Sequence, residues 1–174
     1  KKHTGQQYIA KVLNNILKDS RLITRRVDHF YNNNIEDRFF KRKVQEYYSL
    51  RCLPQILGAV HDTIIHAEKV VVDETNSVSD NPIVDLETEN VYHGGNFHGD
   101  YVSLEMDKLK LATTRISMLA ERQLAFLMNP RLNEKLPPFV NLGKLGLNLG
   151  MQGVQFTATS TVAENQTLSN SMYV

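Results

Sequence analysis

Apolar side chains recur along this chain at steps of three and four, the spacing that gathers them on one face of a helix. Ile9, Val12, Leu13, Ile16 and Leu17 do so between Gln7 and Lys18 and predict a short helix. Ile56, Leu57, Val60, Ile64, Ala67, Val70 and Val71 do so from Pro54 to about Thr75. Pro54 suits a first helical turn, because its missing N–H had no partner there anyway. The strongest pattern covers residues 100–127. Val102, Met106, Leu109, Ala112, Ile116 and Leu119 form one stripe, and Leu104, Leu111, Met118 and Ala125 form a second at seven-residue spacing. A helix of about 40 Å that is apolar on two sides belongs at the centre of a bundle or at a subunit interface. A last helix is expected over residues 149–168, where Gly150, Gly153, Ala158, Ser160 and Ala163 let neighbouring backbones come close.

The stretches between these helices differ in kind. Residues 20–44 are rich in charge and Asn (Arg25-Arg26, Asn32-Asn33-Asn34, Lys41-Arg42-Lys43) and predict an exposed connection or lid. Residues 76–99 carry Asp80-Asn81-Pro82 and Gly94-Gly95-Asn96, turn chemistry at both ends of a short hairpin from Ile83 to Tyr92. An ordered loop of that length is usually functional. Residues 129–148, with Pro130, Pro137-Pro138, Gly143 and Gly146, predict a stiff connection. The expected fold class is all-α, with long helices forming part of an oligomeric bundle and one ordered irregular loop.

Composition narrows the setting. With 174 residues, 41% hydrophobic and 22% charged, the chain reads as one ordinary globular segment, residues 1–174, rather than a disordered or fibrous one. No apolar run reaches the length of a membrane span. Twenty Lys and Arg against nineteen Asp and Glu leave a net charge of +1, so neither nucleic acid nor a membrane surface is expected as partner. The single cysteine, Cys52, has no internal disulfide partner, which fits a reducing compartment and predicts a cytoplasmic protein. The first residues are neither Met nor a signal segment, and the last close no helix, so both ends read as truncated.

Few residue patterns suggest chemistry on their own. Gln45, Tyr48 and Arg51 step by three, so on a helix all three would point the same way. A guanidinium about one turn from a phenol favours the phenolate, the form a general base needs. Arg also grips carboxylates with two parallel hydrogen bonds. The same spacing equally describes an ordinary exposed Tyr and Arg. Asn81, held extended by Pro82, could donate its amide to a carboxylate or simply close a turn. Gly94-Gly95-Asn96-Phe97-His98-Gly99 allows close backbone approach and presents one ring, without the signature of a phosphate loop. No metal site is expected. His61 and His66 are five apart and diverge around a helix, and His93 and His98 lack a Cys or carboxylate cluster. Cys52 beside Arg51 reads as a small buried hydrophobe rather than an activated thiolate.

Taken together, four segments resemble the aromatic amino acid ammonia-lyases in order and spacing. They are Val44-Gln45-Glu46-Tyr47-Tyr48-Ser49-Leu50-Arg51-Cys52-Leu53-Pro54-Gln55, Asn76-Ser77-Val78-Ser79-Asp80-Asn81-Pro82, Gly94-Gly95-Asn96-Phe97-His98-Gly99 and Leu136-Pro137-Pro138-Phe139. The likeness covers essentially the whole chain, which is similar to the middle portion of a histidine ammonia-lyase-like enzyme close to the bacterial tyrosine and histidine branch. It implies a largely helical homotetramer whose active sites draw on three subunits. It also implies non-oxidative elimination of ammonia from an amino acid such as histidine or tyrosine, giving urocanate or coumarate. The electrophile would be a 4-methylidene-imidazol-5-one (MIO) formed from an Ala-Ser-Gly segment. By motif, Tyr48 would be the catalytic base or proton relay at the β-carbon, Phe97 would pack near the prosthetic group, and Arg51 would clamp the substrate carboxylate. Asn81 would help bind that carboxylate, and Gln45 would support Tyr48 by hydrogen bonding.

The chain departs from the family pattern in places. Ala-Ser-Gly does not occur in it and is expected upstream, and the family's later Asn-Gln-rich stretch is expected beyond Val174; Glu164 does not stand at its position. These 174 residues alone are therefore expected to be inactive. Glu46-Tyr47, where many histidine-specific members carry Asp-Pro, leans towards tyrosine. Two alternatives share the same residues: an MIO-type aminomutase, which returns ammonia to the other carbon, and a non-catalytic helical scaffold kept for assembly.

Overall fold

The structure is a computed structural model and describes residues 1–23, 45–144 and 146–173. The expected connection over residues 20–44 therefore lies outside the described residues from residue 24 onward, basic clusters included. Among the described residues the helices are α1 (Thr4–Leu17), α2 (Tyr48–Arg51), α3 (Leu53–Thr75), α4 (Asp100–Met128), α5 (Pro130–Asn133) and α6 (Gln152–Leu168). A two-stranded hairpin, β1 (Ile83–Asp85) and β2 (Asn90–Tyr92), lies between α3 and α4. The all-α class and the single hairpin agree with the sequence pattern. The chain divides into two compact units, residues 1–59 and 60–174.

In the first unit, α1 begins at Thr4, ahead of the expected Gln7, behind an extended His3. The early start has a packing reason. Gly5 is buried, and its backbone meets Gly58 of α3 so closely that a Cβ on Gly58 would lie 2.8 Å from the Gly5 carbonyl carbon and nearer still to the Gln6 backbone. The contact needs a glycine at 58, and it fixes the first turn of α1 before any apolar periodicity begins.

In the second unit, α3 ends at Thr75 with its last carbonyls taken up by side chains that follow. Thr75 Oγ1 and Asn76 Nδ2 both donate to the Val72 carbonyl, at 2.9 and 2.7 Å, and Ser77 Oγ donates to Asp73 at 2.6 Å. Such carbonyls have no partner inside the helix and must find one outside it. The hairpin pairs Ile83 with Tyr92, Val84 with Val91 and Asp85 with Asn90. Its turn is built on Asp85, which accepts the Thr88 hydroxyl at 2.6 Å and the Glu87 N–H at 2.9 Å; those bonds hold its carboxyl below the ordinary value.

Pro130 brings α4 to an end at Met128. The stretch expected as a plain stiff connection holds α5 and a 3-10 turn at Pro138–Val140. Asn133 ties α5 to the end of α4: its amide nitrogen reaches the carbonyls of Phe126, Leu127 and Asn129 within 3.2 Å, and its oxygen accepts from the Lys135 and Leu136 N–H groups. The last helix starts at Gln152, not Leu149. Gly150 has φ +57 there and ends the loop in a conformation a helix does not continue from.

α4 is the spine of this unit, and α6 packs along it. Ala112 and Leu119 of the first predicted stripe are buried, and Met128 joins them. Of the second stripe, Leu104 and Leu111 stay 46% and 57% exposed. The seam towards α6 is polar: Thr114 donates to the Asn165 carbonyl, Asn165 Nδ2 to Ser117 Oγ, and Thr159 to Glu121. Glu105 is buried, bonded by Lys108 at 2.6 Å with His66 Nδ1 3.1 Å from its other oxygen; Lys108 first, then His66, hold its carboxyl below the ordinary value.

Asp107 anchors the residues after α6. It pairs with Lys110, and its Oδ2 accepts the Ser171 hydroxyl at 2.7 Å and the N–H groups of Met172 and Tyr173 at 2.8 and 2.7 Å. Lys110 foremost, then Ser171 and the two amides, push its carboxyl far below its ordinary value of 3.8. A folded-state pKa below the unfolded one gives stability that is present above the unfolded value and is lost as pH falls past it.

Two outcomes are expected for the intact protein. Ala is favoured over Gly inside a helix by about 1 kcal/mol, yet Gly58→Ala should lower stability by roughly 1 to 3 kcal/mol, because backbone that has no room to yield opposes the new methyl; denaturant unfolding measures the sign. Asp107→Asn should lower Tm at pH 7 and bring faster amide exchange at Met172 and Tyr173. Its Tm deficit should shrink as pH falls below the ordinary carboxylate range, and a deficit independent of pH would refute the anchoring role of the charge.

Candidate active site

The first cluster is made by α2. Tyr47 is extended (φ −61, ψ 153), and its carbonyl accepts the Leu50 and Arg51 N–H groups at 3.0 and 2.9 Å, which starts a single helical turn. Cys52 (φ −99, ψ 15) closes it. On that turn Tyr48 and Arg51 stand three residues apart, and the Arg51 guanidinium carbon lies 4.5 Å from the centre of the Tyr48 ring, stacked over its face. Tyr48 is 70% exposed. Gln45 lies ahead of this turn, outside any helix. It precedes the extended Tyr47, so the one-in-three spacing has no helix to act through, and the expectation of a common face holds for Tyr48 and Arg51 only. Cys52 is a free, half-buried thiol.

The second cluster lies in the loop between α3 and α4, in the second unit. Here Asn81, joined to Pro82 by a cis peptide bond, accepts the Gly94 N–H on its Oδ1 at 3.0 Å. That bond settles which way the carboxamide faces. Its oxygen is spent inside the loop, and its NH2 group, which has two donors, carries no protein hydrogen bond among the described residues. Phe97 follows three residues after Gly94 with its ring 61% exposed and 6.5 Å from the His98 ring. His98 Nδ1 lies 2.8 Å from Asp100 in the first turn of α4. The glycines do not serve close packing within the chain: a Cβ on Gly94, Gly95 or Gly99 would meet nothing within 4 Å.

Tyr48 and Arg51 are thus brought into contact within the first unit, while in the second Asn81 is tied to Gly94 and Phe97 stands beside His98 in the same loop. Among the described residues no group of three or more His, Cys, Asp or Glu is placed to hold a metal ion, and no helix is long and apolar enough to cross a membrane.

The sequence pattern of the family described as aromatic amino acid lyase matches residues 1–174. The chain belongs to that family. It is similar to a tyrosine 2,3-aminomutase of Chondromyces crocatus, 40% identical across 97% of this chain and 33% of that protein. It is similar to a histidine ammonia-lyase of Caldanaerobacter subterraneus, 42% identical across 97% of this chain and 30% of that one. Among solved structures, a phenylalanine aminomutase of Pantoea agglomerans matches with a TM-score of 0.89 at 35% identity, covering 99% of this chain and 34% of that one. The chain spans about a third of the length of these relatives. In this aromatic amino acid lyase chain, two features escaped the sequence reading: the Gly94 N–H that orients Asn81, and Asn96, whose Nδ2 donates to the Val78 carbonyl at 3.3 Å. The only sequence signal for either was an Asn beside two glycines.

Proposed function

We propose that the intact protein eliminates ammonia non-oxidatively from histidine or tyrosine, giving urocanate or coumarate, and that this chain supplies a base, a carboxylate clamp and a second carboxylate donor. The observation that carries the reading is the Tyr48–Arg51 pair, exposed and in contact on one helical turn of a chain in the aromatic amino acid lyase family. Arg51 offers the fork of donors that a carboxylate accepts in two parallel bonds. Asn81 offers a neutral NH2 donor whose oxygen is already engaged. Tyr48 takes the proton from the β-carbon, the Cα–N bond breaks, the double bond forms between the two carbons, and ammonia leaves. Gln45 supports the Tyr48 side chain.

The residues near Phe97 suit a flat electrophilic prosthetic group, since the ring is exposed beside three glycines with open space around them. Phe97 would pack against it. MIO, which forms from an Ala-Ser-Gly segment absent from this sequence, supplies when bound the electrophile that makes the amine a leaving group. The uncovered side of α4, with Leu104 and Leu111, supports assembly into a homotetramer. The balanced charge and single cysteine support a cytoplasmic setting. A second reading, an aminomutase on the same residues, is favoured by the likeness to the tyrosine and phenylalanine aminomutases.

Incubation of the intact protein with histidine and with tyrosine separates these readings. Ultraviolet absorbance of a free urocanate or coumarate supports the lyase, and a β-amino acid in the product mixture supports the mutase. A folded tetramer silent on both substrates would overturn the enzymatic reading. In the active protein, Tyr48→Phe should lower kcat on the order of a hundredfold or more, with the fold intact by circular dichroism. Arg51→Ala should lower kcat/KM roughly tenfold to a hundredfold, the loss of a charged bidentate contact.

A further inference from the structure

We propose that Asn96 is a positioning residue that keeps the Asn81 carboxamide facing outward as a donor; this rests on the reading of Asn81 as a carboxylate ligand. The loop leaves α3 after Thr75 and returns to α4 at Asp100, and its strand pairing stops at Ile83 opposite Tyr92. Past that rung two side chains continue to bridge the legs. Asn81 Oδ1 takes the Gly94 N–H at 3.0 Å, and Asn96 Nδ2 reaches back to the Val78 carbonyl at 3.3 Å. Both donors sit on the returning leg and both acceptors on the leg that leaves α3, with one side chain supplied by each leg. A turn in which the His98 N–H donates to the Gly95 carbonyl at 3.0 Å holds Asn96 at its corner.

The reason such a latch matters is torsional. The last torsion of an asparagine is broad and roughly two-fold, so an unrestrained carboxamide presents its oxygen about as readily as its NH2. To a carboxylate the first is repulsive and the second attractive. The Gly94 N–H makes the choice, but only while the legs stay together, and this loop is exposed and pinned by few bonds. Asn96 grips the opposite leg three residues before Asn81. Its loss leaves the Asn81–Gly94 bond to hold the legs beyond the ladder, and part of the population then offers the wrong face.

The test uses the intact, active protein and four forms: wild type, Asn96→Ala, Asn81→Ala and the double variant. Asn96→Ala should raise KM for the amino acid about three- to tenfold, the range of one neutral hydrogen bond, with kcat changed less and Tm nearly unchanged. It should also speed amide exchange in peptides covering Gly94. In the Asn81→Ala background, removing Asn96 should raise KM no further, because the carboxamide it positions is gone. Gly94 exchange and KM both unchanged in Asn96→Ala, or effects that multiply in the double variant, would overturn the proposal. If Asn81→Ala raises KM and Asn96→Ala does not, only the latch fails. If Asn81→Ala leaves KM untouched, the carboxylate reading of Asn81 fails and the latch loses its catalytic meaning with it.

Discussion

The second unit depends on α4 burying charge where its apolar pattern would lead one to expect oil. Glu105, Asp107, Thr114 and Glu121 are all buried, while Leu104 and Leu111 on the same helix face outward. A buried carboxylate is tolerable only when partners replace the water it loses. Each of these has them: Lys108 for Glu105, Lys110 and three donors from Ser171 to Tyr173 for Asp107, and Thr159 for Glu121. The donors come from α4 itself, from α6 and from the residues after it. The polar side of α4 therefore fixes where α6 runs and where the chain goes next, with a directionality that apolar contacts do not impose.

That inversion also explains what the sequence conveyed and what it did not. Helices of this length declare themselves by apolar spacing whichever side ends up covered, so α1, α3, α4 and α6 were all legible to within a few residues. The hairpin was legible from turn residues at its ends. Which stripe of α4 is covered within the chain was not, because Glu105 and Asp107 look like solvent-facing positions until their partners, 3 to about 65 residues away, are in place. Helix ends misled for a related reason. The start of α1 is set by Gly58, more than fifty residues along, and the start of α6 by the left-handed Gly150, neither of which apolar periodicity registers.

The candidate site divides in the same way. Tyr48 and Arg51 were legible as a pair because one helical turn is enough to place them. Gln45 was drawn in by the same arithmetic and falls outside it, since an extended Tyr47 interrupts the helix on which the arithmetic depends. Asn81 stood out only as the residue before a proline. Its chemical sense comes from a backbone N–H thirteen residues later, and a backbone group leaves no trace in a residue pattern.

Exposure at these residues places a physical demand on the proposed chemistry. Tyr48 is 70% exposed and Phe97 61% in this chain. Oriented donors are worth far more in a dry, low-dielectric site than in water. A phenol and a guanidinium open to solvent would be screened, and a proton taken from carbon would compete with bulk water. On the proposed reading, the walls that exclude water have to come from polypeptide other than these 174 residues, either the remaining two-thirds of a protein the size of its relatives or neighbouring subunits. This chain's share is then orientation rather than enclosure. A stacked Tyr–Arg pair and a carboxamide whose direction is already chosen are features that hold their geometry before the walls arrive, which is what a site completed by assembly requires of each contributor.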